Sequence, residues 1–252
     1  MGLLDDPVLF SLGGGISIEV PIARYFFDKV DLLDYEADLM ATLRTFIAKL
    51  NAPVTLIDGG ADMGLFSLKV ASQCPAVQRI VAFEPNSDTF SNLQRNLGHL
   101  GIATEAHPKA LSDFEGWGEL RTSADDSDHT GKYLAESPTG TIPVTTMDSA
   151  FRGPAADLVV KLDIEGGELR ALRGAQHTIA AAERVVVVIE AHPTVARRTG
   201  LDPVECLRTL VAVKPFRFIV AEDPSVEVFA DRPLFEQLTP DRIYNIIGFS
   251  AV

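Results

Sequence analysis

Three clusters of residues in this sequence have types and spacings suited to chemistry. The first is Asp58-Gly59-Gly60-Ala61-Asp62-Met63-Gly64, which follows the short apolar run Val54–Ile57. Its glycines allow a tight turn and a close approach of the backbone to a ligand. A helix starting after Gly64 offers unpaired N–H groups and the positive end of its dipole. Glu84 stands 20 residues further on, at the end of a second apolar run, Arg79–Phe83. A carboxylate there can accept hydrogen bonds from the hydroxyls of a ribose. Together the loop and the acid point to a nucleoside-containing cofactor lying across the ends of two parallel strands.

The second cluster is Lys161, Asp163 and Glu165, at the end of the apolar run Asp157–Leu162. Strand alternation sends the three to one side. Lys161 can pair with Asp163 and keep it ionised, which suits Asp163 to act as a base or to hold a substrate hydroxyl. Glu165 and Glu168 fall near the start of the next helix, where acids also favour the dipole. The third cluster is Glu190 and His192, again two apart, after Val185–Ile189. A histidine titrates near neutral pH and suits general-base work; a lone histidine beside a proline is also an ordinary structural residue. His107 and His129 are weaker alternatives. A metal held by Asp163, Glu190 and His192 is conceivable, but spacing alone establishes no ligand set, and none is assigned.

Other chemistries fit less well. The glycines after Asp58 miss the G-x-G-x-x-G of dinucleotide folds, and no G-x-x-x-x-G-K-[ST] occurs. A nicotinamide-dependent oxidoreductase is therefore a rival reading, as is a non-catalytic cofactor-binding module. The formal charge is −13, and no Lys/Arg-rich run is present to displace counterions from nucleic acid. Cys74 and Cys206 are the two cysteines, which is neither a disulfide framework nor a zinc pattern. No stretch reads as a signal peptide or a membrane span, so a cytoplasmic setting is expected. A homo-oligomer stays open.

The elements that must position these clusters alternate. A helix is expected over about Glu36–Leu50. Helices follow Gly64 and Asn86, the latter capped by Asn86 or Ser87. Another carries Leu169, Leu172, Ala175 and Ile179, and Asp202-Pro203 starts the last long one. With the three runs above, Thr104–His107, Val185–Ile189, Phe216–Ala221 and Ile243–Phe249 make seven strands, the last two returning antiparallel if they can. Such alternation implies a doubly wound α/β sheet. Residues 1–33 read as an N-terminal extension, with Ile16–Val20 a weak strand, and 34–252 as the main domain. Gly116–Thr122 and Thr141–Thr145 break the rhythm as a short β insertion between the third and fourth strands. Between them lies an acidic loop with Asp125, Asp126 and Asp128, a candidate lid.

The sequence resembles the FkbM-type methyltransferases over residues 34–192. Tyr35-Glu36, the Ile57–Gly64 loop, Phe83-Glu84-Pro85-Asn86, Ala110-Leu111-Ser112-Asp113 with Gly116, Lys161–Glu168 with Leu172–Ala175, and Ile189–His192 carry the likeness in order. The resemblance implies a class I, Rossmann-like methyltransferase sheet, S-adenosyl-L-methionine as cofactor, and O-methylation of a hydroxyl on a small molecule or sugar. It implies cofactor contacts from Glu36, Asp58, Gly59, Gly60, Ala61, Asp62, Gly64, Glu84, Pro85, Ala110, Leu111 and Asp163, while the strand-end clusters themselves offer Asp163, His192, Lys161 and Glu190 for catalysis. Two residues depart from the pattern. Asp62 replaces the usual asparagine and adds charge beside the loop. Lys109 stands where relatives of the wider fold often place a polar or acidic group for adenine.

Overall fold

Strands buried on both faces need apolar side chains at every position rather than at alternate ones. The runs Val54–Ile57 and Val185–Ile189 have that character, and the computed structural model places both inside a sheet covered on its two sides. The structure describes residues 7–22, 24, 32, 34–50, 53–122, 132–153 and 156–250. The acidic loop at 125–128 and His129 lie outside them.

The chain opens with a hairpin, β1 (Pro7–Gly13) and β2 (Ile16–Pro21), turned at Gly14 and Gly15. Helix α1 (Ala37–Ile47) follows. Then come β3 (Val54–Gly59), α2 (Leu65–Gln73), β4 (Val77–Phe83), α3 (Ser87–Gly98) and β5 (Ala103–His107). Asn86 caps α3 by accepting from the Asp88 N–H at 3.1 Å. The insertion comprises β6 (Ala110–Leu111), β7 (Gly116–Thr122), β8 (Lys132–Glu136) and β9 (Ile142–Thr145). Short α4 (Met147–Ala150) leads to β10 (Asp157–Leu162), α5 (Glu168–Arg173), α6 (Gln176–Ala181) and β11 (Arg184–Ala191). The chain ends with α7 (Pro193–Thr199), α8 (Val204–Val213), β12 (Phe216–Val220), β13 (Glu227–Val228), α9 (Leu234–Gln237) and β14 (Tyr244–Ser250).

The main sheet has the order β13-β12-β14-β11-β10-β3-β4-β5. All the expected strands are in it, and the two-residue β13 adds an edge. The strand order reverses between β3 and β10, so a crevice opens above their carboxyl ends. The pairing corrects one expectation. Of the last two long strands only β14 is reversed, running antiparallel to both β11 and β12 between which it inserts. Helix α8 provides the crossover that keeps β12 aligned with β11, whereas the chain from β12 to β14 has only β13 and the one-turn α9.

The core divides between the two faces. One side gathers Ile57, Val160, Leu162 and Val187 with Leu172, Ile179, Leu207 and Leu210 from α5, α6 and α8. The other gathers Leu56, Val159, Val186 and Val188 with Leu43, Leu68 and Leu93 from α1, α2 and α3. Ile18 and Val20 of the hairpin are wholly buried in this second group. The helix expected through Leu169–Ile179 is broken at Gly174, where only glycine fits because a Cβ would lie 2.1 Å from the Ser112 carbonyl oxygen. The insertion is larger than expected. It forms its own sheet in the order β6-β9-β7-β8, and β8 is hidden in what reads as a polar stretch.

Candidate active site

The loop after β3 is built by backbone bonds to the end of β4. The N–H groups of Gly60 and Ala61 both donate to the Phe83 carbonyl at 3.0 Å. The Asp62 N–H donates to Glu84 Oε2 at 2.9 Å, and the Asn86 N–H donates to Glu84 Oε1 at 2.8 Å. Gly60 has φ +77°, and a Cβ on it would sit 1.9 Å from the Asp163 carbonyl oxygen. No other residue fits there. Asn96 of α3 locks the arrangement from behind, donating to the Met63 carbonyl and bonding the Glu19 backbone through both ends of its amide.

A cleft of about 670 Å³ opens above these strand ends. Among the residues expected at a site, Gly60, Ala61, Asp62, Glu84, Pro85, Ala110, Leu111, Lys161 and Asp163 line it. Glu165 does too. Asp58 and Gly59 lie just beneath. The Asp58 carboxylate is fully buried and accepts from Ser67 Oγ at 2.6 Å, and the Gly59 carbonyl accepts from the Asp163 N–H. Gly64 turns the chain into α2 with φ +90°.

The floor of the cleft is a buried charge cluster. Lys161 is 2% exposed, donates to Asp163 Oδ2 at 2.9 Å, and lies 5.0 Å from the centre of the Phe66 ring. Burial alone would lower its pKa, yet Asp163, Tyr35, Glu36 and Asp58 together hold it well above the ordinary lysine value. Burial pushes the Asp58 carboxyl up, opposed by Lys161 and the Ser67 hydroxyl. It also pushes Glu36 up to about 7, against Lys161 and with Asp163 and Asp58. Glu36 Oε2 and Asp58 Oδ1 are buried without a hydrogen-bond partner among the described residues. Burial likewise raises Glu84, against the backbone bonds it accepts.

Among the described residues, three non-glycine residues adopt a left-handed backbone: Glu36, Asp62 and Glu165, at φ 47°, 49° and 56°. Each such residue costs about 1–2 kcal/mol. Asp62 and Glu165 line the cleft, and Glu36 follows Tyr35, which does. Backbone strain of this kind clusters at functional sites, and two of the three residues line one cleft.

Glu190 and His192 go elsewhere. They share a second cavity of about 30 Å³ with Glu168 and Cys206, at the end of β11. Proline at the first turn starts α7 at once, and His192 Nδ1 accepts the Thr194 N–H at 3.1 Å as its cap. Glu190 is pushed up to about 9 by burial and by Asp163 and Glu165. Glu168 Oε1 accepts the Ile164 and Gly166 N–H groups, holding the turn before α5. His107 stacks on Phe83 with ring centres 4.8 Å apart and does not line the cleft. Among the described residues no three His, Cys, Asp or Glu side chains gather to hold a metal, and no helix is long and apolar enough to cross a membrane.

Four contributors escape a reading of the sequence. Arg24, in the N-terminal segment, lines the cleft and forms a two-pronged pair with Asp62 at 3.0 and 2.8 Å. The charge that departs from the family pattern is thus neutralised from 38 positions away. Leu120, Lys132 and Leu134 descend from the insertion as a roof. Leu120 pairs with Leu134 across β7 and β8, so the alternation of both strands turns these side chains to one face. Arg170 bonds Asp113 and Glu136, and Arg198 lies 4.7 Å from the centre of the Tyr133 ring, which ties the roof to α5 and α7.

Comparison with known proteins is decisive at one point. The family described as "Methyltransferase FkbM domain" matches residues 58–213, more than half of the chain. The chain belongs to the FkbM methyltransferase family. Hexuronic acid methyltransferase AglP of Haloferax volcanii is 26% identical over 176 residues, 68% of this chain and 67% of its own length. AMB antimetabolite synthetase AmbE of Pseudomonas aeruginosa is 43% identical over 60 residues, 24% of this chain. The match spans only 3% of that much longer protein. A solved FkbM methyltransferase from Methylobacillus flagellatus superimposes with a TM-score of 0.49 at 15% identity, covering 90% of this chain and 58% of that one.

Proposed function

We propose that this FkbM-family chain is an S-adenosylmethionine-dependent O-methyltransferase acting on a hydroxyl of a small molecule or sugar. The observation that carries the reading is the group of acids in the floor of the cleft, three around one buried cation. Glu36, Asp58 and Asp163 all face the buried cation Lys161, and two of their oxygens lack hydrogen-bond partners among the described residues. Because a buried charge left uncompensated is costly, Glu36 and Asp58 are raised toward their neutral forms, and a cationic ligand would favour their ionised forms. A cofactor with an ammonium and a sulfonium is such a ligand, whereas the pyrophosphate of a dinucleotide would meet repulsion.

The remaining parts fit the same molecule. Gly60 lets the loop pack directly against the Asp163 backbone at the edge of the cleft. Each Glu84 oxygen accepts one backbone N–H, and a carboxylate has further lone pairs for ribose hydroxyls. Bound there, S-adenosylmethionine supplies a methyl group already activated for transfer. The protein then has to align the acceptor, an effect worth about 7 kcal/mol or more, and remove its proton. Asp163 is placed for both tasks, since it lines the cleft and Lys161 fixes its orientation. The likeness to a hexuronic acid methyltransferase of Haloferax volcanii supports a sugar as the acceptor.

Calorimetric titration with S-adenosylmethionine, S-adenosylhomocysteine and NAD tests the reading. The first two are expected to bind and NAD is not. Binding of NAD alone would sink the proposal, and binding of none would make the chain a module without this cofactor.

A further inference from the structure

The cations of the cleft outnumber what the proposed cofactor can use. Arg24, Lys109, Lys132 and Lys161 all line it. Two are matched within the wall, Arg24 by Asp62 and Lys161 by Asp163. The side chains of Lys109 and Lys132 have no hydrogen bond or ion pair among the described residues. S-adenosylmethionine has one anionic group, its α-carboxylate, and that group has donors available in the N–H groups where the glycine loop enters α2. Its adenosine is neutral. Two lysines therefore remain on the lining without an ion pair among the described residues, while the other lining acids, Glu84 and Glu165, pair with neither of them.

Their placement is not random. The insertion sheet has β6 at one edge and β8 at the other. Lys109 directly precedes β6, and Lys132 opens β8. Leu134, two residues along β8 from Lys132, and Leu120, opposite it on β7, line the same cleft with apolar side chains. The roof thus carries an apolar patch next to Lys132, and Lys109 stands beside the opposite edge strand of the insertion sheet. In a chain of net charge −13, the long-range field repels anions, so holding one requires local cations of this kind.

We infer that the methyl acceptor is itself anionic, a hydroxyl compound carrying a carboxylate or a phosphate that Lys132 and Lys109 hold while Leu120 and Leu134 cover its less polar face. The inference rests on the methyltransferase reading, and its test separates the two. The whole chain is first saturated with S-adenosylhomocysteine, then titrated with methyl glucuronide, glucose 6-phosphate and methyl glucoside. One or both charged sugars are expected to bind about tenfold or more tightly than the neutral one, as one charge-assisted contact would give. The two charged probes decide between carboxylate and phosphate. The variants Lys132→Gln and Lys109→Gln are each expected to lose most of that preference while still binding S-adenosylhomocysteine. Equal binding of charged and neutral sugars, binding of none, or an undiminished preference in the double variant overturns the inference. So does a loss of S-adenosylhomocysteine affinity in the lysine variants, which would give those lysines to the cofactor. Failure of the unaltered protein to bind S-adenosylhomocysteine instead overturns the methyltransferase reading beneath it.

Discussion

Two neighbouring strand ends in this protein look alike in sequence and behave differently in space. At β10, Lys161 and Asp163 stand two apart; at β11, Glu190 and His192 do the same. The first pair reaches a cleft of about 670 Å³ and the second a cavity of about 30 Å³. The difference lies in what the backbone does next. After β10 the chain turns through Glu165 in a left-handed conformation and Gly166 at φ +97°, and the glycine loop of β3 leaves room beside it. After β11 Pro193 starts a helix immediately, and His192 is engaged as its cap. A charged strand end becomes a site only where the following loops keep the space above it open.

The comparison can be broken most severely at Gly60. Gly60→Ala combines left-handed strain with overlap of the Asp163 carbonyl, a cost of about 3 kcal/mol or more. We expect cofactor binding to be lost in calorimetry and thermal melts to shift downward. Unchanged affinity would mean that the cleft does not depend on this close approach.

Next in size is Asp163→Asn. As the base lining the cleft it should lower kcat by about 10²-fold, a larger loss than that of S-adenosylhomocysteine affinity. A full kcat would remove Asp163 from proton transfer and reopen the case for the second cavity.

The two regions also predict different pH windows. Glu36 beneath the cleft is raised from 4.5 to about 7, and Glu190 at the small cavity from 4.5 to about 9, both chiefly by burial. A carboxyl raised in the folded state binds its proton more tightly there than when unfolded. Its contribution is therefore greatest below pH 4.5 and is lost as pH rises through the folded value. Melting of the unliganded protein should show a decline between about 4.5 and 7 that Glu36→Gln removes. Glu190→Gln should remove the part extending toward 9. Identical melting profiles for the variants and the parent would refute the assignment.

The smallest effect is expected at His192. His192→Ala deletes a helix cap, a loss of about 1 kcal/mol in stability, with kcat retained. A collapse of kcat at unchanged stability would show that the small cavity takes part in turnover.

Much of the framework is legible in the amino-acid sequence. Periodicity locates the strands of the main sheet, spacing marks the glycine loop and Glu84, and capping preference marks Asn86. All are local properties, spanning one element and its ends. Strand β8 escapes because Lys132–Glu136 is short and adjoins a polar loop, so its alternation carries little signal. The close approach at Gly174 escapes because the Ser112 carbonyl it accommodates lies on a distant segment of the chain.

The sequence by itself determined the order of elements, the place where the backbone must bend without a side chain, and the acids at the ends of β3, β4 and β10. It did so because turn chemistry and hydrophobic period act between near neighbours. Only the tertiary structure decided which charges meet. It brought Arg24 to Asp62, put Lys161 beneath Asp163 beside the buried carboxylates of Glu36 and Asp58, sent Glu190 and His192 to a separate cavity, and folded the insertion over the cleft. Those outcomes depend on packing between distant segments, and no spacing along the chain encodes the partner of a buried charge.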